Sequence, residues 1–92
     1  MTWLARVLVL PKEEVLDPQG EAILGALQHL GFDSVAAVRS GRLFELHINV
    51  PDRAQAEMMA DDAARRLLSN TVVETYRVTV EPATATATGG QE

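Results

Sequence analysis

The sequence contains no cysteine. That excludes a disulfide framework and thiolate chemistry. Histidine is scarce too: His29 and His47 are the only two. Neither has a second ligand at helical or turn spacing, so no metal site is expected. No Ser-His-Asp or Cys-His set can be assembled from them. Asp61 and Asp62 are adjacent on a helical stretch, point about 100° apart and do not form a carboxylate dyad. Neither GxxxxGKS/T nor GxGxxG occurs, so a phosphate loop is not expected. Basic residues are in the minority and the formal net charge is −5. A general nucleic-acid binder needs a basic face, which this balance argues against. No apolar run approaches the roughly 20 residues that span a bilayer. No N-terminal stretch reads as a signal peptide, so a soluble cytoplasmic protein is the expectation.

What is present is enough for one small core. The chain has 92 residues, of which 47% are apolar, which fits one folded domain. Its best-marked element is VLDPQGEAILGALQHLGF, Val15 to Phe32. Asp17 is a good N-cap, Pro18 suits the first helical position and Glu21 places negative charge in the first turn. Ile23, Ala26, Leu27 and Leu30 form an apolar stripe. Gly31 can close the helix in the left-handed conformation, with Phe32 folding back. Gly20 and Gly25 lie inside the helix, each unfavourable by roughly 1 kcal/mol relative to alanine. Their presence implies that something approaches the helix closely.

In order along the chain, Trp3 to Leu10 reads as a strand apolar on both faces: Trp3, Ala5, Val7 and Val9 on one, Leu4, Leu8 and Leu10 on the other, broken only by Arg6. A strand of that kind is buried on both faces. Either its second face meets another chain or its leucines lie under long neighbouring side chains. Ser34 to Ser40 is expected as a short strand and Gly41 as a tight turn. Arg42 to Val50 alternates cleanly, with Phe44, Leu46, Ile48 and Val50 on one face and Leu43, Glu45, His47 and Asn49 on the other. Asp52 caps a second helix running to about Leu68, whose expected stripe is Ala56, Met59, Ala60, Ala63 and Leu67. Asn70 is expected to cap its end in the left-handed conformation. Thr71 to Val80 is the last strand. Residues 1–81 are read as a single domain and 82–92, PATATATGGQE, as a disordered tail.

The resulting order is β-α-β-β-α-β. It predicts an α+β two-layer sandwich with a four-stranded antiparallel sheet and two helices on one face, a ferredoxin-like split arrangement. Such an order does not select a function. An RNA-recognition module would need stacking aromatics on central strands, and Phe44 is the only aromatic of its strand. An acylphosphatase-like enzyme would need an arginine-bearing loop where this chain has PKEEVL. An ACT-like regulatory module, binding an amino acid at a dimer interface near the start of the first helix, remains an alternative.

Four segments together resemble the PurS family: VLDPQGEAI at Val15 to Ile23, LGF at Leu30 to Phe32, VRSGR at Val38 to Arg42, and LLSNTVVETY at Leu67 to Tyr76. Thr71 departs from the family's usual proline and Arg42 stands where lysine is common. The resemblance implies a small, non-catalytic subunit of phosphoribosylformylglycinamidine synthase in de novo purine biosynthesis. That ligase uses ATP, Mg and glutamine to convert formylglycinamide ribonucleotide to its amidine. The implied partners are a PurL-type synthetase subunit, a PurQ-type glutaminase subunit and a second copy of the chain, with pairing of dimers into a tetramer left open. No cofactor, nucleic acid or membrane is expected to bind this chain. Asp17, Pro18, Gly20, Glu21, Arg39, Gly41 and Arg42 are the expected partner-facing positions. Leu4, Leu8, Leu43 and His47 are expected where copies of the chain meet.

Overall fold

The computed structural model describes residues 1–83. Strand β1, Thr2–Pro11, lies at the centre of the sheet between β2, Arg42–Asn49, and β3, Glu74–Pro82. Both pairings are antiparallel. Val7 sits opposite Phe44 and Val78, and Ala5 opposite Leu46 and Val80. This register gathers Trp3, Ala5, Val7 and Val9 with the apolar residues of both neighbours on one face, because side chains alternate along a strand.

Helix α2, Arg53–Ala63, covers that face. Asp52 starts it by accepting a hydrogen bond from the Gln55 N–H at 2.9 Å. Ala56, Ala60 and Ala64, spaced four apart, have no solvent exposure. Their small side chains bring the helix axis close to the sheet, over Val7 and Val9 at one end and Ala5 and Ile48 at the other. The buried stripe differs from the sequence expectation: Met59 is 51% and Leu67 81% exposed. Leu68, four residues beyond Ala64, joins the core instead. The helix ends in one turn of π-helix, Ala64–Leu68, closed by the Ser69 N–H and hydroxyl donating to the Ala64 carbonyl at 2.9 and 2.8 Å. Asn70 therefore has no left-handed cap to make, and no non-glycine residue among those described has positive φ.

The expected four-stranded sheet is corrected to three strands, in the order β2-β1-β3. Ser34 to Ser40 is not a strand. Only Val35, Val38 and Ser40 of it are even half-buried, so it has no alternating apolar face to lay on a sheet. Its backbone groups bond elsewhere: the Val35 N–H donates to the Phe32 carbonyl and the Ser40 N–H to the Asp17 carboxylate. The hairpin around Gly41 is absent for the same reason. The last strand starts late, at Glu74, because Asn70 turns the chain by accepting from the Val72, Val73 and Glu74 N–H groups.

The expectation of two helices on one face is corrected as well. Helix α1, Pro18–His29, builds no packing interface with any strand or with α2. Its close is as read, with Gly31 at φ 97° and the Phe32 N–H donating back to the Leu27 carbonyl at 2.9 Å. The ferredoxin-like arrangement thus fails in two places, a missing strand and an unstacked helix. The expected tail begins at Pro82, which here closes β3 opposite Trp3; residues 84–92 lie outside the described residues. No described helix is long and apolar enough to cross a membrane.

Because Ala60 has no exposure and sets the helix-to-sheet distance, Ala60→Leu is expected to destabilise the fold by about 1–3 kcal/mol through overpacking. Urea denaturation measures it; an unchanged midpoint would contradict the close packing.

Candidate functional site

The residues singled out in the sequence fall into two groups. Asp17, Pro18, Gly20, Glu21, Arg39, Gly41 and Arg42 come together where the connector after β1, the start of α1 and the segment before β2 meet. Leu4, Leu8, Leu43 and His47 share the sheet face away from α2.

At the first locus Asp17 joins two distant pieces of chain. One carboxylate oxygen, Oδ1, accepts from the Gly20 N–H at 3.0 Å, the N-cap bond. The other, Oδ2, accepts from the Ser40 N–H at 2.7 Å, 23 residues away. These two bonds, Ser40 first, and the neighbouring Arg39 charge hold the Asp17 pKa below the usual aspartate value. Gly20 is buried here. A Cβ on it would lie 2.5 Å from both the Val38 carbonyl oxygen and Asp17 Oδ2, so only glycine lets the returning segment come this close. Arg39 donates from its guanidinium to the Pro11 carbonyl. Gly41 runs against β1, where a side chain would collide with the Val9 carbonyl and the end of Leu10. Arg42 pairs with Glu74 at 2.9 Å and lies 5.6 Å from the centre of the Phe44 ring. Pro18 and Glu21 stay exposed on the first turn.

Gly20 therefore has a reason inside its own chain, whereas Gly25 has open space around it. A cleft of about 560 Å³ beside the locus is rimmed by Lys12 and Arg39 but also by Glu13, Glu14 and Glu21. The carboxylates outnumber the cations, so the cleft does not favour an anion.

On the second face, Arg6 reaches across both neighbouring strands, pairing with Glu45 and Glu81 at 3.1 Å each. Leu4 lies between His47 and Glu81 in the register and is only 3% exposed. Leu8 opposes Leu43, which is 57% exposed. The two histidines stand on different elements, His29 in the last turn of α1 and His47 on β2. Among the described residues no group of three or more His, Cys, Asp or Glu could hold a metal.

Sequence reasoning missed two features. Arg53 stacks 5.3 Å from the centre of the Trp3 ring and donates to the Val80 carbonyl, tying the start of α2 to the sheet. Met58 and Met59 leave α2 with an apolar flank, 72% and 51% exposed. The adjacent pair was the available signal, since one stripe cannot bury both.

Residues 4–82 match the PurS family, described as phosphoribosylformylglycinamidine (FGAM) synthase. The PurS subunit of Bacillus subtilis is 41% identical over 80 residues, covering 87% of this chain and 94% of that protein. Thermus thermophilus PurS superposes with a TM-score of 0.82 at 32% identity, covering 91% of this chain and all of that one, 100%. A chain of the PurLQS structure from Thermotoga maritima superposes with a TM-score of 0.81 at 27% identity, covering 88% and 99%.

Two outcomes test the locus. Gly20→Ala is expected to destabilise by about 1–3 kcal/mol, through a clash a packed site cannot absorb. Gly25→Ala is expected to stabilise by roughly 0.5–1 kcal/mol, since alanine is the better helix former and nothing stands in its way. Denaturant titration of both variants checks the contrast. For Asp17 the folded pKa is depressed, so its contribution is present above the ordinary aspartate pKa of about 3.9. It is lost as the pH falls through the folded value. Hydrogen exchange, corrected for intrinsic rates, is expected to show the Ser40 amide losing protection over that acid window in the native chain. In Asp17→Asn the protection is expected to be reduced already at neutral pH.

Proposed function

This chain belongs to the PurS family, and from that premise we propose that it is the small subunit of a phosphoribosylformylglycinamidine synthase in purine biosynthesis. The observation that carries the proposal is the match of the whole described body, residues 4–82, with a chain of PurLQS among its structural neighbours. In this role the chain supplies no catalytic group. It joins a PurQ-type glutaminase to a PurL-type synthetase, so that ammonia released from glutamine reaches formylglycinamide ribonucleotide. ATP, Mg and glutamine are used by those partners and not held by this chain, and the assembly works in the cytoplasm.

The first turn of α1 and the segment before β2 are the surface we assign to the partner subunits. Pro18, Glu21, Arg39 and Arg42 are exposed there. Asp17, Gly20 and Gly41 shape it from beneath. The chain also self-associates, and the sheet face bearing Leu4, Leu8, Leu43 and His47 is one surface for that. The ACT-like alternative loses ground at the start of α1. An amino-acid ligand would need free acceptors there, and both Asp17 oxygens already hold own-chain N–H groups.

Reconstitution tests the role. PurL and PurQ are expected to show glutamine-dependent synthesis of the amidine only when this chain is added; activity independent of it would overturn the proposal. In the same titration Glu21→Arg is expected to require more chain for half-maximal activity, with stability within about 0.5 kcal/mol of the parent, as for other exposed substitutions.

A further inference from the structure

We propose that the groove between the connector after β1 and the segment before β2 receives a basic segment of a partner subunit, anchored on Leu16 and selected by Glu13, Glu14 and Glu21. The assignment rests on the subunit role proposed above and gives one of its contacts a chemistry.

The groove has a volume of about 560 Å³, and Val15, Leu16, Ala37 and Val38 supply its apolar lining. Its walls are pinned by the chain's own bonds. The Lys12 N–H donates to the Val73 carbonyl at 2.9 Å and the Val15 N–H to the Lys12 carbonyl at 3.0 Å, which fixes the connector. On the other wall the Ser40 N–H donates to Asp17, and the Arg39 guanidinium donates to the Pro11 carbonyl. A concavity held in this way needs little ordering when a partner enters it. Leu16 stands at its edge with 76% of its surface exposed. The connector is fixed around it, yet its own chain leaves the side chain in water.

The charges around the groove differ from those elsewhere in the chain. Arg6 is taken by Glu45 and Glu81, Arg42 by Glu74, Arg65 by Asp61 and Asp62, and Arg66 by Asp62. Asp17 and Asp52 cap helices. Glu13, Glu14 and Glu21 line the groove, are exposed, and form no ion pair among the described residues. Of the two cations beside them, Lys12 and Arg39, the second is bound to Pro11. The groove is therefore apolar within and net negative at its rim. An apolar centre with a polar rim is the anatomy of a protein interface, and the sign of the rim selects the partner.

A segment carrying arginine or lysine beside an apolar residue satisfies both parts of the groove. Arginine suits it best, since its planar guanidinium forks onto carboxylates and is weakly hydrated. A second copy of this chain fits poorly. It brings the same net charge of −5, its only lysine lies in its own groove, and four of its seven arginines are already paired with carboxylates. The segment 84–92 carries Glu92 and no cation. A free anion meets repulsion, and a bare metal ion would leave Leu16 uncovered.

The test titrates chain into PurL and PurQ and reads the concentration that gives half-maximal glutamine-dependent activity. Three forms are compared: the parent, Glu13→Lys with Glu14→Lys, and the control Asp33→Lys with Glu57→Lys. The control makes the same change in net charge at exposed positions away from the groove. All four side chains are exposed, so the denaturation midpoints are expected to match the parent's. At about 0.05 M salt the groove variant is expected to need at least about tenfold more chain. At about 0.5 M salt the gap is expected to narrow to within about threefold, because screening removes a rim-charge effect. Activity at saturating chain is expected to be unchanged, and the control to stay within about twofold of the parent throughout. A groove variant within twofold of the parent means that the carboxylates serve only hydration, and overturns the proposal. A control that shifts as far as the groove variant assigns the effect to net charge, and overturns it too. A photo-crosslinker at Leu16 in the assembled complex gives a readout independent of these variants. Crosslinks to a stretch of PurL or PurQ bearing arginine or lysine are expected. Crosslinks to a second copy of this chain, or to a stretch without cations, overturn the proposal. A parent chain that fails to activate PurL and PurQ removes the subunit role itself. A parent that activates them beside an equally active groove variant removes only the groove's occupant.

Discussion

Both oxygens of the Asp17 carboxylate accept backbone N–H groups of their own chain, one from Gly20 and one from Ser40. The first bond is an ordinary helix cap. The second crosses 23 residues and brings the segment before β2 back onto the start of α1. Such a crossing needs a short side chain with two acceptors and a neighbour with no side chain at all, which is what Asp17 and Gly20 provide. The position of α1 follows from it. With its root held there, the helix builds no packing interface with the sheet that its own β1 centres.

The remainder of the body depends on a different economy of space. Three alanines four residues apart let α2 sit on β1 and β3 with no room left between them. The core is therefore narrow, with Val7 and Val9 its largest fully buried side chains. A core of that width gives a small domain limited stability by itself. Its apolar surplus lies outside, on the α1 stripe, the Met58–Met59 flank and Leu43. Apolar groups gathered on faces rather than scattered mark interaction surfaces. A chain organised in this way fits a subunit whose work is to hold others in place.

Much of this was readable in advance. The limits of α1, its Asp17 cap and its Gly31 close came from local hydrogen bonding and backbone conformation, which neighbouring residues decide. The alternation of Phe44, Leu46, Ile48 and Val50 marked β2 because its period matches a pleated strand. The family was legible in four short segments. Ser34 to Ser40 misled because SVAAVRS has strand-forming residues but no partner edge, and strand preference is largely a matter of what lies alongside. Gly20 and Gly25 looked alike in the sequence. Only one has a carbonyl against it, and no local rule separates them.

The sequence by itself determined α1 with both its caps, the Asp52 start of α2, the strands β1 and β2, and the family, because these depend on residues a few positions apart. Tertiary structure alone decided that the sheet has three strands, that Leu4 is buried between His47 and Glu81 in the register, and that α1 stands away from its own core. Each of those turns on groups brought together from distant parts of the chain, above all Asp17 and Ser40. The VLDPQGEAILGALQHLGF stretch announces a helix with an apolar side. The start of that helix is held by a hydrogen bond to a residue that the stretch does not contain.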